Sequence, residues 1–391
     1  MRHSFLICAL ALLAGCTGIA PQRGGAGELG IVIERASGSV QLLENAKRIA
    51  VGRVAGLGDL SHASMVYSSD ARFAFLFGRD GGLTKIDLPA QRVVGRTMQA
   101  GNSIGGAISR DGRLIAVANY EPGGVKIFDA ATLQELAEIP SVYGSEGKRA
   151  KVVGIADAPG NRFVFSLFEA GEIWIADVSD PKRPVLQKFR GIGKEPYDGL
   201  ITPDGRHYIA GLFGEDGLAL LDMQSPQSGV TRILDGYGRN GEKLPVYKMP
   251  HLRGWAVAGN YAFLPAVGRH EVLVVDTRNW KQVAAIPSHG QPVFVMARPD
   301  GRQVWVNFAF PLNDTVQVID VAKLAVTETL KPGRTVLHME FNARGDEVWI
   351  SARDDDRLVI YDTRSFARIA DVPAQSPSGI FFPWRAGKFG L

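Results

Sequence analysis

The sequence predicts an all-β chain, an eight-bladed β-propeller of four-stranded antiparallel blades whose ring is closed by the C-terminal strand. Three observations carry that prediction. Apolar strands ending in an acidic residue recur: IDL at Asp87, IFDA at Asp129, IADV at Asp177, LLDM at Asp222, VVDT at Asp276, VIDV at Asp320 and IYDT at Asp362, spaced by 42, 48, 45, 54, 44 and 42 residues. Val40-Gln41-Leu42-Leu43-Glu44 puts Glu44 in the equivalent place and brings the units to eight. Each repeat is a set of short strands with nothing long enough to cover their sheet, so each must bury its faces against another copy.

The repeat from Ser103 to Ile139 shows the parts in order. Ala107-Ile108-Ser109 is a short half-buried strand ended by Asp111-Gly112-Arg113, because an Asp-Gly pair takes the positive φ of a tight hairpin. Leu114 to Asn119 is a second strand, and Glu121-Pro122-Gly123-Gly124 turns the chain back. Val125 to Asp129 is the third, and Leu133 to Ile139 alternates as the fourth. The same turn-plus-strand recurs in PDGRHYIAG (203–211), PDGRQVWVN (299–307) and ARGDEVWIS (343–351). The repeated aspartates, Asp129 among them, read as turn caps. A solenoid would need capping repeats, whereas both ends here look like blade pieces. Ser378-Gly379-Ile380-Phe381-Phe382 is expected to complete the first blade.

Composition narrows the class. The 391 residues are 46% hydrophobic and 21% charged, with 46 Gly and 21 Pro, as in a turn-rich globular β domain. A dispersed net charge of +4 gives no reason to expect a nucleic-acid partner. Residues 1–15 read as a signal peptide with an apolar run from Phe5 to Leu13, and Leu13-Ala14-Gly15-Cys16 matches the bacterial lipobox. Cys16 is therefore the expected lipidation site, 16–28 a lipidated tether, and 29–391 the propeller. Thr17 after the cysteine favours a periplasm-facing outer-membrane anchor over the inner membrane, with membrane contact through the lipid alone. Cys8 would leave with the signal, so no disulfide is expected. Gly25-Ala26-Gly27-Glu28-Leu29-Gly30 fits GxGxxG, but a leader precedes it and a strand follows, so no NAD site is supported.

Propeller geometry sorts the polar residues between two faces. Blade-to-blade connections and the loops between second and third strands emerge on a first face, and the DGR turns and repeated aspartates on a second. Entering first strands are His62, Tyr197-Asp198, His251 with Arg253 and Trp255, and His338. The loops between second and third strands add Arg79, Asn119-Tyr120, Asn307-Phe308 and Arg353. His207, His270 and His289 occupy turns or loops without such an argument. Imidazoles, guanidiniums and aromatic rings converging on one mouth suit a flat, acidic, metal-bearing ligand such as an iron tetrapyrrole. Each histidine fits a structural hydrogen bond equally well, and Arg79 and Arg353 each precede an aspartate that could brace the loop. No local zinc spacing, nucleophile elbow or phosphate loop appears.

These same residues carry a resemblance. LSHASMVYSSDARFAFLFGRDGGLTKIDL (60–88) resembles the first complete blade of the haem-d1 propeller of cytochrome cd1 nitrite reductase. MPHLRGWAVAGNYAF (249–263) resembles its distal-histidine segment, and ARGDEVWISARDDDRLVIYD (343–362) another blade. The resemblance implies His62 as proximal iron ligand and His251 as a distal acid/base residue. Around them, Arg79, Arg253 and Arg353 would meet carboxylates, Tyr120, Tyr197 and Trp255 would pack on the ring, and Asn119 and His338 would be polar contacts. The sequence departs from the reductase in three places. It has no Cys-x-x-Cys-His, its match to the second active-site histidine falls near Ala297-Arg298, and Met65 replaces a carboxylate-binding arginine. Nitrite reduction is therefore not expected.

A lipidated propeller of this kind is similar to the NirF family of haem d1 biosynthesis. That resemblance implies binding of a late haem d1 precursor, such as dihydro-haem d1, by a tetrapyrrole dehydrogenase or by a carrier. Other haem d1 maturation proteins and nitrite reductase would be its partners. Two alternatives predict different mouths: a protein-interaction scaffold would show apolar hot spots, and a sugar-lactone hydrolase a metal cluster around a carboxylate such as Asp198.

Overall fold

The computed structural model describes residues 29–236, 255–266 and 269–389. Within them the chain forms eight four-stranded antiparallel sheets, numbered here as blades in chain order. The inner strands are Pro377–Phe381, Ser64–Tyr67, Asn102–Ile108, Val152–Ala158, Pro196–Ile201, Ala256–Ala258, Pro292–Ala297 and Val336–Phe341 for blades 1 to 8. Inner strands touch between blades 2 and 3, 3 and 4, 4 and 5, 6 and 7, 7 and 8, and 8 and 1, around the axis. Pro377–Phe381 pairs antiparallel with Leu29–Glu34, so the C-terminal strand completes blade 1 as expected. The expected eight-bladed all-β fold is the one observed.

Burial explains why the strands read differently in sequence. Middle strands such as Phe73–Phe77 and Glu347–Ala352 are buried on both faces between neighbouring blades, and they read as apolar runs. Outer strands such as Arg92–Met98 alternate between exposed and half-buried positions, which gives their period of two. Trp174, Trp305 and Trp349 are fully buried in these sandwiched layers.

Blade 3 follows the sequence reading with longer strands. They run Asn102–Ile108, Leu114–Glu121, Gly124–Asp129 and Glu135–Ile139. Gly112 sits at φ +73, where its amide closes the turn on the Ser109 carbonyl at 2.7 Å. Gly205, Gly301 and Gly345 repeat that turn at φ near +70 (+72, +71 and +70). Asp129 Oδ1 accepts the amides of Ala131 and Thr132, at 3.0 and 2.8 Å, and Asp362 does the same for Arg364 and Ser365. The repeated aspartates are thus turn caps. The connection from blade 3 to blade 4 carries an unexpected two-stranded hairpin, Val142–Tyr143 and Lys148–Arg149.

Candidate functional site

The first face carries a pocket of about 660 Å³, walled by blades 1, 2, 7 and 8. Arg35 enters it from the turn joining the second and third strands of blade 1. His62 enters from the connection to blade 2, which is pinned to blade 1 twice: Leu57 N–H donates to Gly38 O at 3.0 Å and Arg35 Nη2 to Ser61 O at 2.5 Å. Arg353 starts a 3-10 turn, Arg353–Asp355, that is tied to the connection entering blade 8 by Arg353 N–H to Thr335 O at 3.0 Å. Asn307 and Phe308 end the second strand of blade 7, and the exposed Phe310 (61%) follows them on the wall.

The pocket is electrostatically unfinished. The Arg35 guanidinium lies below its ordinary pKa, first because burial strips it of water and then because the Arg353 charge stands close by, with Asp59 opposing. Among the described residues Arg35 forms no ion pair. Arg353 Nε reaches Asp354 at 2.8 Å, and Arg334 Nε reaches Asp355 at 2.7 Å, so those two arginines are braced by the loop of blade 8. The Asp59 carboxyl is held low: burial works against its ionisation, but hydrogen bonds from Ser61 and the nearby charges of Arg79 and His62 outweigh it. Asn307 Nδ2 donates to Val336 O at 3.0 Å, while its buried Oδ1 finds no partner among the described residues. Two crowded guanidiniums, an orphan acceptor and an exposed aromatic ring suit a polyanionic ligand with a flat body.

A second group lies on the same face between blades 3, 4 and 5. Tyr120 and Tyr197 meet at their hydroxyls at 3.2 Å, and Phe168 and Phe213 pack on Tyr197 at centroid distances of 5.9 and 5.8 Å. Lys151 lies over the Tyr120 and Phe168 rings and pairs with Glu169 at 2.8 Å.

Several expected mouth residues are elsewhere. Asn119 is buried, and its amide is spent in a reciprocal pair with Gln99, at 2.9 and 3.0 Å. Trp255 is a core side chain lying against Gly211, where a Cβ would come within 2.9 Å of the indole. His338 is buried between the Phe294 and Phe381 rings, and its Nδ1 accepts the Ile380 N–H at 2.9 Å. Burial, then Arg385, pushes that imidazole well below its usual pKa, so it is neutral with the proton on Nε2. Arg79 is not braced by Asp80, which pairs instead with Arg96 at 3.2 Å. Ala297 and Arg298 end the inner strand of blade 7 on the second face, where Arg298 Nε donates to Gly345 O at 2.7 Å, so they are not mouth positions. His251, Arg253 and Cys16 lie outside the described residues.

The structure also adds residues that sequence reasoning missed. Arg35 and Arg334 follow the face rule, but the displaced inner strand of blade 1 hid the first of them. His289, set aside as a loop residue, packs edge-on against Phe308 at 5.7 Å. Among the described residues no cluster of three or more His, Cys, Asp or Glu side chains could hold a metal ion.

The chain belongs to the Cytochrome D1 heme domain family, whose model matches residues 24–386. Within that family it stands with the NirF proteins. It is 62% identical to Protein NirF of Pseudomonas aeruginosa over 383 residues, 98% of this chain and 97% of that one. It is 56% identical to Protein NirF of Stutzerimonas stutzeri over 392 residues, covering all of both chains (100%). Among solved structures, dihydro-heme d1 dehydrogenase NirN in complex with DHE matches at TM-score 0.80 and 24% identity, covering 94% of this chain and 78% of that one.

Proposed function

We propose that the mouth pocket binds a late haem d1 precursor, dihydro-haem d1 or a close relative, and that the protein acts in haem d1 biosynthesis. The observation that carries this reading is the crowding of Arg35 against Arg353 beside His62, in a member of this family. An acidic ligand would relieve that repulsion, because guanidinium and carboxylate form paired charge-assisted hydrogen bonds. The precursor's iron supplies the affinity for an imidazole. His62 would provide that imidazole, Arg35 and Arg353 would take the carboxylates, and Phe310 would pack on the macrocycle. His251 is proposed as the distal acid/base residue and Arg253 as a further carboxylate contact. A volume of about 660 Å³ lies within the usual range for small-molecule and cofactor sites, roughly 300–1,000 Å³.

A carrier role and a tetrapyrrole-side-chain dehydrogenase role both fit this pocket, and a dehydrogenase would need the bound iron or a partner protein to take the electrons. The protein would hold the precursor in the periplasm, anchored through a lipid on Cys16, and pass it to maturation proteins and nitrite reductase. Titrating the purified protein with dihydro-haem d1 and following the absorption spectrum tests binding. Saturable spectral change is expected, and a spectrum equal to that of free ligand would remove the proposal. Incubation with an added two-electron acceptor should return the ligand unchanged if the protein is a carrier, whereas ligand oxidation with matching reduction of the acceptor would support the dehydrogenase reading.

A further inference from the structure

A second cavity, of about 150 Å³, lies along the axis and shares no lining residue with the mouth pocket. Ser64, Ala107, Gly154 and Glu340 from the inner strands form its wall. At its second-face end the wall is the segment Arg385–Lys388, facing Arg110 and Asp157. This segment leaves the ring-closing strand of blade 1, and Phe389 is then buried beside Pro159 and Gly205 in the turns of blades 4 and 5. In a ring of eight, blade 5 stands opposite blade 1, so the segment crosses the axis.

Side chains hold it there. Trp384 Nε1 donates to Phe341 O at 2.8 Å, the Arg110 guanidinium lies 4.6 Å from the Phe389 ring, and Arg385 Nε stands 2.8 Å from Glu340 Oε2. The backbone hydrogen bonds of residues 385–388 run within the segment itself: Arg385 to Phe382, Ala386 to Pro383 and Lys388 to Arg385. Among the described residues no ladder joins residues 384–389 to a blade, so this stretch can lift without unpairing a strand. Glu340 is 1% exposed, and Arg385 is its ion-pair partner among the described residues. A buried carboxylate deprived of its counter-charge is strongly disfavoured.

We propose that residues 384–389 are a latched stopper, held over the second-face opening of the axial cavity by the Glu340–Arg385 pair. Its release admits water and small solutes to the cavity while the ring and the mouth pocket stay intact. The device stands whether or not a tetrapyrrole occupies the mouth.

Labelling of a cysteine placed at Ala107, in the cavity wall, tests it. With a small thiol reagent, the full-length Ala107→Cys protein should react slowly over the background of its native cysteines. Adding Arg385→Ala, or deleting residues 384–391, should raise the rate about tenfold or more with unchanged far-ultraviolet circular dichroism. Arg385→Ala with Glu340→Gln serves if the single change misfolds, since no charge is then stranded. Arg110→Ala, which loosens Phe389 without touching the carboxylate, should also raise the rate. A Phe310→Cys control on the first face should react equally in all backgrounds. Equal Ala107→Cys rates with and without the segment would overturn the proposal.

Discussion

Arg35 of blade 1 and Arg353 of blade 8 line the same mouth pocket, and the burial that lowers the Arg35 pKa is reinforced by the Arg353 charge. Among the described residues Arg35 has no ion-pair partner, so the proposed site leaves it open to an anion from outside. Arg35→Ala and Arg353→Ala should each weaken precursor binding by about 10- to 100-fold, the worth of a charge-assisted hydrogen bond of ~1.5–3 kcal/mol. Stability of the ligand-free protein should move by no more than about 1 kcal/mol in Arg35→Ala, because lost repulsion offsets the lost Ser61 contact. Spectroscopic titration beside urea unfolding reads both quantities, and a stability loss without a binding loss would make Arg35 structural.

Phe310 is a large apolar side chain left 61% exposed on the pocket wall. Phe310→Ala should cost binding about 0.5–1.5 kcal/mol, the scale of one aromatic contact, and leave the melting temperature unchanged. The same titration and a thermal melt check it.

Asn119 should behave in the opposite way. Asn119→Ala strands the buried Gln99 amide, so stability should fall by about 1–3 kcal/mol while precursor affinity stays the same. A clear loss of affinity at unchanged stability would return Asn119 to the ligand site.

Glu340 makes stability depend on pH. Burial raises its folded-state pKa from 4.5 to about 7, against the opposing Arg385 charge and hydrogen bond. The folded protein therefore binds this proton more tightly than the unfolded chain does. Its stabilising contribution is complete below about pH 4.5 and is lost as pH rises through about 7, on the order of 3 kcal/mol. His338 works in the other direction, because its lowered pKa removes stability as pH falls through and below 6.5. The charged or titratable groups around Glu340 are Arg385 on the stopper, Tyr67 and His338 on inner strands, and Arg110, Asp157 and Lys388 lining the same cavity. Subtracting a Glu340→Gln curve from the native one isolates the carboxyl. The difference should slope between pH 4.5 and about 7, and a flat difference would contradict the assignment.

Much of this architecture was legible in the chain because a blade imposes a strict pattern. Buried middle strands need apolar runs, Asp-Gly turns need positive φ, and each third strand needs a cap. His62 and Arg353 emerged from counting loops on that pattern, and both line the pocket. Arg35 did not, because the inner strand of its blade comes from the far end of the chain and disguises a second-to-third loop as a leader turn. Strand-end residues were the other difficulty. Asn119, Trp255 and His338 sit at the right heights for a mouth, but inward direction depends on partners such as Gln99, Gly211 and Ile380, which lie in other strands or blades. The stopper escaped notice for a similar reason, since nothing local marks Phe389 as reaching across the axis.

In the proposed complex His62 presents its imidazole to the iron of a tetrapyrrole held at the mouth. The direct measurement is the absorption spectrum of dihydro-haem d1 bound to the native protein and to His62→Ala, with binding confirmed in each by gel filtration. With His62 on the iron, His62→Ala shows a shifted iron spectrum, reversed towards the native form by added imidazole. Identical bound spectra for the two proteins would contradict it.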